Sequence, residues 1–187
     1  MREQPLSVDS GASRVAAVSG GDGGSVGALA RWLIPAAVVA LLDQATKSWV
    51  VASLAPGEAV AYAPFFKLVL WFNSGAAFSF LAGASGWQRI FFIAIALVAA
   101  VVITWMLYKH SRERLFCAGL SLILGGALGN LWDRIMHGQV VDFLLFHAGE
   151  YAWPAFNVAD SAITVGAALI IIDGFRSKER TLSNGNE

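Results

Sequence analysis

Four stretches of this chain are nearly free of charge and about 20 residues long, the length needed to cross roughly 30 Å of hydrocarbon. They run over 32–51, 88–108, 115–132 and 157–175. Inside a bilayer the backbone must satisfy its own hydrogen bonds, so such stretches fold as helices. Composition points the same way: 57% of the residues are hydrophobic and 14% charged, against about 25% charged in a soluble domain. So little charge cannot cover a water-soluble surface of this size. Thirteen basic and thirteen acidic residues cancel, which removes the basic field expected of a nucleic-acid binder. The single cysteine, Cys117, rules out an internal disulfide framework, and no Cys/His cluster has zinc spacing. The expected fold is an all-α integral membrane protein with four transmembrane helices, needing no metal and no cofactor.

A fifth apolar run, 64–83, is expected not to cross. Arg31 precedes the first span; Lys109, Arg112 and Arg114 follow the second; Arg176, Lys178 and Arg180 follow the fourth. The positive-inside rule puts all three clusters in the cytoplasm, so an even number of crossings separates them. A span at 64–83 would break that parity. Its Lys67, Asn73 and Ser74 and its glycines suit short strands in the membrane interface, anchored by Phe65, Phe66, Trp71 and Phe72. Both termini are then cytoplasmic. Residues 1–30 read as a disordered, Gly/Ser-rich tail rather than a cleavable signal peptide, and 177–187 as a polar C-terminal tail.

Ionisable groups inside spans cost roughly 2.5–3.5 kcal/mol each on insertion scales, so each calls for a reason. The topology gathers them at one depth, the outer leaflet and its interface. Asp43 and Lys47 lie in the outer half of the first span. Asn130, Asp133 and Arg134 end the third. Asn157 and Asp160 begin the fourth, and the external connection 135–156 carries Asp142. Asp43 and Lys47, four residues apart, read as a pair that neutralises itself. Asn130, Asp133 and Arg134 share a helical face, and Asp133–Arg134 could form an interfacial clamp. Asn157 could cap the helix it precedes. Asp173 reads as a charge partner of Arg176, Gly125–Gly129 as a GxxxG packing motif, and Cys117 as a small core residue. Asp142 and Asp160 are harder to explain structurally, because neither has a basic neighbour in its own segment.

Two carboxylates brought within hydrogen-bond reach in a low-dielectric site do not both ionise easily. One keeps a proton while the other stays charged, and such a pair can activate water and protonate a carbonyl together. The residues alone also permit a small transporter using the same carboxylates for protons or cations, or a non-enzymatic lipid-binding protein. Against the transporter stands the nearly uninterrupted apolar inner half of the second to fourth spans.

The ordered blocks DQATK (43–47), FNSGAAF (72–78), GGALGNLWDR (125–134), GQVVDF (138–143) and FNVADSAITVG (156–166) resemble the lipoprotein signal peptidases, the type II signal peptidases of bacteria. The resemblance spans 32–175 and makes 31–176 the peptidase domain. It implies an aspartic endopeptidase of the inner membrane that cleaves a prolipoprotein before a diacylglyceryl-modified cysteine. It also implies that Asp142 and Asp160 are the catalytic dyad. Asn73, Gly75, Asn130, Arg134 and Asn157 would hold substrate or the antibiotic globomycin, and Asp43, Lys47 and Asp133 would be structural. The 64–83 run would belong to a small periplasmic β-cradle. The expected partners are diacylglyceryl-prolipoproteins and membrane lipid, with no nucleic acid, and the enzyme is expected to act as a monomer.

Overall fold

The computed structural model describes the backbone of residues 26–75 and 86–184, with side chains through 176. Four helices are long and apolar enough to cross a membrane: α1 (Val26–Ser53), α2 (Trp87–Lys109), α3 (Arg114–Met136) and α4 (Val158–Asn184). The first three each contain one expected span, and α4 covers the fourth from Val158, leaving Asn157 just outside the helix. The helices overrun the expected tails, however: α1 starts at Val26, inside 1–30, and α4 continues beyond 176. Apolar periodicity marks where lipid begins, whereas backbone hydrogen bonding carries a helix past that boundary. Residues 1–25, 76–85 and the side chains of Lys178 and Arg180 lie outside the described residues.

α3 is the central helix, and its glycines let two neighbours close in. A Cβ at Gly125 would stand 2.5 Å from the Ala36 carbonyl oxygen of α1, and one at Gly119 would stand 2.7 Å from the Gly166 carbonyl oxygen of α4. Gly126 meets the Ala159 carbonyl of α4, and Gly129 meets the Asp43 carboxylate. The GxxxG reading therefore holds, with small residues on two faces of one helix. At one end of the bundle Ala36, Ile103, Leu107, Leu120 and Leu124 form an apolar core. Cys117 is buried in it, its thiol donating to the His110 carbonyl at 3.0 Å.

At the other end, α1 and α3 finish, α2 and α4 begin, and a small antiparallel sheet fills the connections. Its strands are β1 (Ala59–Ala63), β2 (Phe66–Asn73), β3 (Val140–Ala148) and β4 (Tyr151–Ala152), hydrogen-bonded in that order. β2 bears out the rejection of 64–83 as a span over its described part. Phe65, Trp71 and Phe72 are exposed, as interface anchors would be, and Phe66 packs on Phe146 with ring centroids 5.0 Å apart. β3 corrects the reading of 135–156 as a plain connection. Val140, Val141, Phe143 and Leu145 are all buried, so the strand is covered on both faces and lacks the alternation that marks a half-exposed strand. Gly138, at φ 77°, follows the last turn of α3 in the left-handed conformation that ends helices. It turns the chain into β3 and brings Asp142 back over the helix ends.

Candidate active site

Asp160 is aimed by local sequence. Asn157 caps α4: its Oδ1 accepts from the Asp160 amide at 2.9 Å, while Asp160 Oδ2 accepts from the Asn157 amide at 3.3 Å. This reciprocal pair is a capping box, with aspartate in the usual glutamate position. Asn157 is fully buried, and its Nδ2 reaches Asp142 Oδ1 at 2.8 Å, the Val141 carbonyl at 3.2 Å and Asn130 Oδ1 at 3.3 Å. The capping reading is correct but incomplete, because the same amide spans both aspartates.

Asp142 is placed by strand register. It stands opposite Trp71 on β2, while Asn73 stands opposite Val140. Asn73 is thus the diagonal neighbour of Asp142, within reach of its side chain, and donates from Nδ2 to Asp142 Oδ2 at 3.0 Å. Burial pushes the Asp142 carboxyl up to about 7, the nearby Asp160 adding to the rise and the Asn73 and Asn157 amides and Lys47 opposing it. A buried acid titrating near neutrality can hold or release a proton at working pH.

α3 closes the site from the third side. Asn130 Nδ2 donates to Asp160 Oδ1 at 2.8 Å. Arg134 donates to the Gly75 carbonyl at 3.1 Å and to the Asn130 carbonyl at 3.2 Å, its guanidinium lying 5.0 Å from the centre of the Phe92 ring. Asn73, Gly75, Asn130, Arg134, Asp142 and Asp160 all line one cavity of about 580 Å³, whose remaining wall includes Trp153, Phe156, Ile163 and Val165. The seven residues expected at the site, Asn157 with these six, are therefore brought together. One residue holds both carboxylates through different groups: the Asn157 backbone amide donates to Asp160 Oδ2 and its side-chain Nδ2 to Asp142 Oδ1.

Behind the cavity lies a second polar layer. Lys47 Nζ sits 2.7 Å from Asp43 Oδ2, 2.9 Å from Asp133 Oδ2 and 2.9 Å from Asn130 Oδ1. Asp43 also accepts from the Ala159 amide at 2.9 Å, tying α1 to the first turn of α4. Asp133 accepts from the Val141 amide at 3.2 Å, tying α3 to β3 beside Asp142.

Three expectations change here. Asp43 and Lys47 do not form a closed pair, since the ammonium also serves α3. The Asp133–Arg134 clamp is not formed: consecutive helical residues point about 100° apart, so Asp133 faces α1 while Arg134 faces the cavity. Asp173 makes no ion pair with Arg176; among the described residues only Asp43, Asp133 and Glu113 pair with a base within 4.0 Å. Sequence reasoning also passed over Gln44, which donates to Asp133 Oδ1 at 2.8 Å and to the Gly129 carbonyl at 3.1 Å. Its signal was an amide in mid-span, next to Asp43.

Four helices long and apolar enough to span, with two amide-held aspartates in a cavity at the sheet end, define a multi-pass membrane protein. The family model for signal peptidase (SPase) II matches residues 35–176, and the chain belongs to that family of proteases. It is similar to the lipoprotein signal peptidase of Paraburkholderia phymatum, 55% identical over 80% of this chain and 90% of that protein. It also resembles the lipoprotein signal peptidase of Ralstonia nicotianae, 51% identical over 92% of this chain and 98% of that one. A bacterial membrane enzyme solved in meso at 2.3 Å superposes with a TM-score of 0.73 at 30% identity, covering 81% of this chain and 91% of its own.

Proposed function

We propose that the protein removes signal peptides from diacylglyceryl-modified prolipoproteins of the bacterial inner membrane, cutting before the lipidated cysteine with water activated by Asp142 and Asp160. The observation that carries this reading is the shared hold of Asn157 on both carboxylates at one cavity. Asp142, with its carboxyl near 7, takes the role of general acid and Asp160 that of general base. Asp160 takes a proton from water as the water oxygen attacks the scissile carbonyl carbon, and Asp142 protonates the carbonyl oxygen. The gem-diol then collapses. Asp160 gives its proton to the leaving nitrogen as the C–N bond breaks, and one diol hydroxyl returns a proton to Asp142. Atoms balance, and the dyad is restored.

Membrane orientation supports the same reading. Arg31 donates to the Ser111 carbonyl at 3.1 Å, so the basic ends of α1 and the α2–α3 turn lie together, away from the sheet. With that end cytoplasmic by the positive-inside rule, both termini are inside. The cavity faces the outer interface, where acyl chains would hold the substrate cysteine. Burial of methylenes at roughly 0.8 kcal/mol each anchors the substrate and fixes the depth of its scissile bond. Asn73, Gly75, Asn130, Arg134 and Asn157 would then contact substrate or globomycin, with the enzyme acting as a monomer. Among the described residues the buried ionisable groups, Asp43, Lys47, Asp133 and Asp142, all lie toward the sheet end, which argues against an ion path through the bundle.

The test is cleavage of a lipidated prolipoprotein peptide by purified enzyme in detergent. Asp142→Asn and Asp160→Asn are each expected to lower kcat by about 10²–10⁴-fold while the protein still inserts. Near-wild-type turnover in either variant would remove the dyad.

A further inference from the structure

Lys47 is a buried cation that the proposed reaction does not use. It is 2% exposed, lies in α1 and does not line the cavity. An ammonium within a spanning helix is costly and demands partners. Asp43, one turn away, would satisfy that demand as an ion pair, and Asp133 supplies a second carboxylate. The third contact, from Nζ to Asn130 Oδ1 at 2.9 Å, is not needed to neutralise the charge.

We propose that Lys47 is a positioning residue that fixes the side-chain amide of Asn130, and through it the carboxylate of Asp160; the proposal rests on the dyad reading above. An asparagine amide has an acceptor end and a donor end, and its two orientations occupy nearly the same space. An ammonium can only donate. Turning the Asn130 amide over would set its NH₂ against the Lys47 ammonium and the Asn157 amide, and its oxygen against Asp160 Oδ1. Every neighbour would become like against like. The charge on α1, the one charged donor among these contacts, therefore strengthens the orientation in which Asn130 donates to Asp160 at 2.8 Å and fixes where its oxygen sits. If the Asn130 bond is lost, the Asp160 carboxylate keeps, among the described residues, only the longer bond from the Asn157 backbone amide to its other oxygen. Asn130 thus conveys the position of Lys47 to a reacting group across two helix interfaces.

Lys47→Met alone strands Asp43 and Asp133 as buried, uncompensated charges and is expected to fold poorly. The informative protein is the neutral triple variant Asp43→Asn/Lys47→Met/Asp133→Asn. It is compared with wild type, with Asn130→Ala, and with the triple combined with Asn130→Ala. Thermal unfolding in detergent reports folding, and kcat and KM are read separately on a lipidated prolipoprotein peptide. The triple variant is expected to unfold cooperatively, with KM nearly unchanged and kcat lowered about a hundredfold, the size of effect that slight misplacement of a reacting group produces. In the Asn130→Ala background the same three changes are expected to alter kcat by no more than roughly twofold, because the route is already cut. Wild-type kcat in the triple variant would overturn the proposal, as would an equal loss in both backgrounds. Activity in Asp160→Asn would instead remove the dyad reading itself, so the two failures are separable.

Discussion

The two ends of the bundle share the same helices but are held together by different physics. Away from the sheet, Ala36, Ile103, Leu107, Leu120 and Leu124 interlock by shape, and α3 approaches its neighbours through glycine. At the sheet end, Asp43, Lys47, Asn130, Asp133, Asp142 and Asn157 are all buried and joined by directed bonds. Packing contacts are individually weak and yield gradually, so an apolar end can lose a methyl group and still support a distant reaction. A buried polar network fails differently. Each group left without its partner keeps its full desolvation cost, and its neighbours reorient. Stability should therefore reside mainly in one end and chemical precision in the other.

The largest effect expected at the packed end is on stability. Leu124→Ala should lower unfolding free energy by about 2–5 kcal/mol, the range for a leucine cavity, while kcat at a permissive temperature stays near wild type. The measurement pairs denaturation in detergent with cleavage kinetics. A parallel collapse of kcat would show that the two ends are not separable.

A smaller effect sharpens the polar side of the comparison. In the unfolded chain Asp142 titrates near 3.8, and in the folded protein near 7. A folded value above the unfolded one means that the native state holds the proton more tightly. Its contribution to stability is therefore complete below about pH 4 and is lost as pH rises through about 7. The wild-type melting temperature should fall more steeply between pH 4 and 8 than that of Asp142→Asn, which has no carboxyl to deprotonate. Equal slopes in the two proteins would mean that Asp142 is not buried as an acid.

The smallest effect is at Cys117, whose thiol sits in the packed end far from the cavity. Cys117→Ser should leave kcat unchanged, with at most a modest drop in melting temperature from placing a more polar hydroxyl in the core. Loss of activity in a stable Cys117→Ser protein would extend the reactive region into the half assigned to packing.

The sequence by itself determined the four crossings, because the cost of exposing backbone to hydrocarbon allows no other fate for such stretches. It also singled out Asp142 and Asp160, since a carboxylate without a nearby cation in an apolar segment needs an explanation. The capping box at Asn157–Asp160 was within reach for the same reason, being a contact between near neighbours in the chain. Only the tertiary structure decided the rest. β3 carries no alternation because both its faces are covered, and that cover comes from elements distant in sequence. Lys47 looks self-sufficient beside Asp43 until α3 brings Asp133 and Asn130 to the same ammonium. Asp133 and Arg134, adjacent in the chain, separate because a helix turns about 100° per residue and sends one to α1 and the other to the cavity. Local contacts follow from local sequence, but the partners of a buried charge depend on which helix lies across from it, and packing alone sets that.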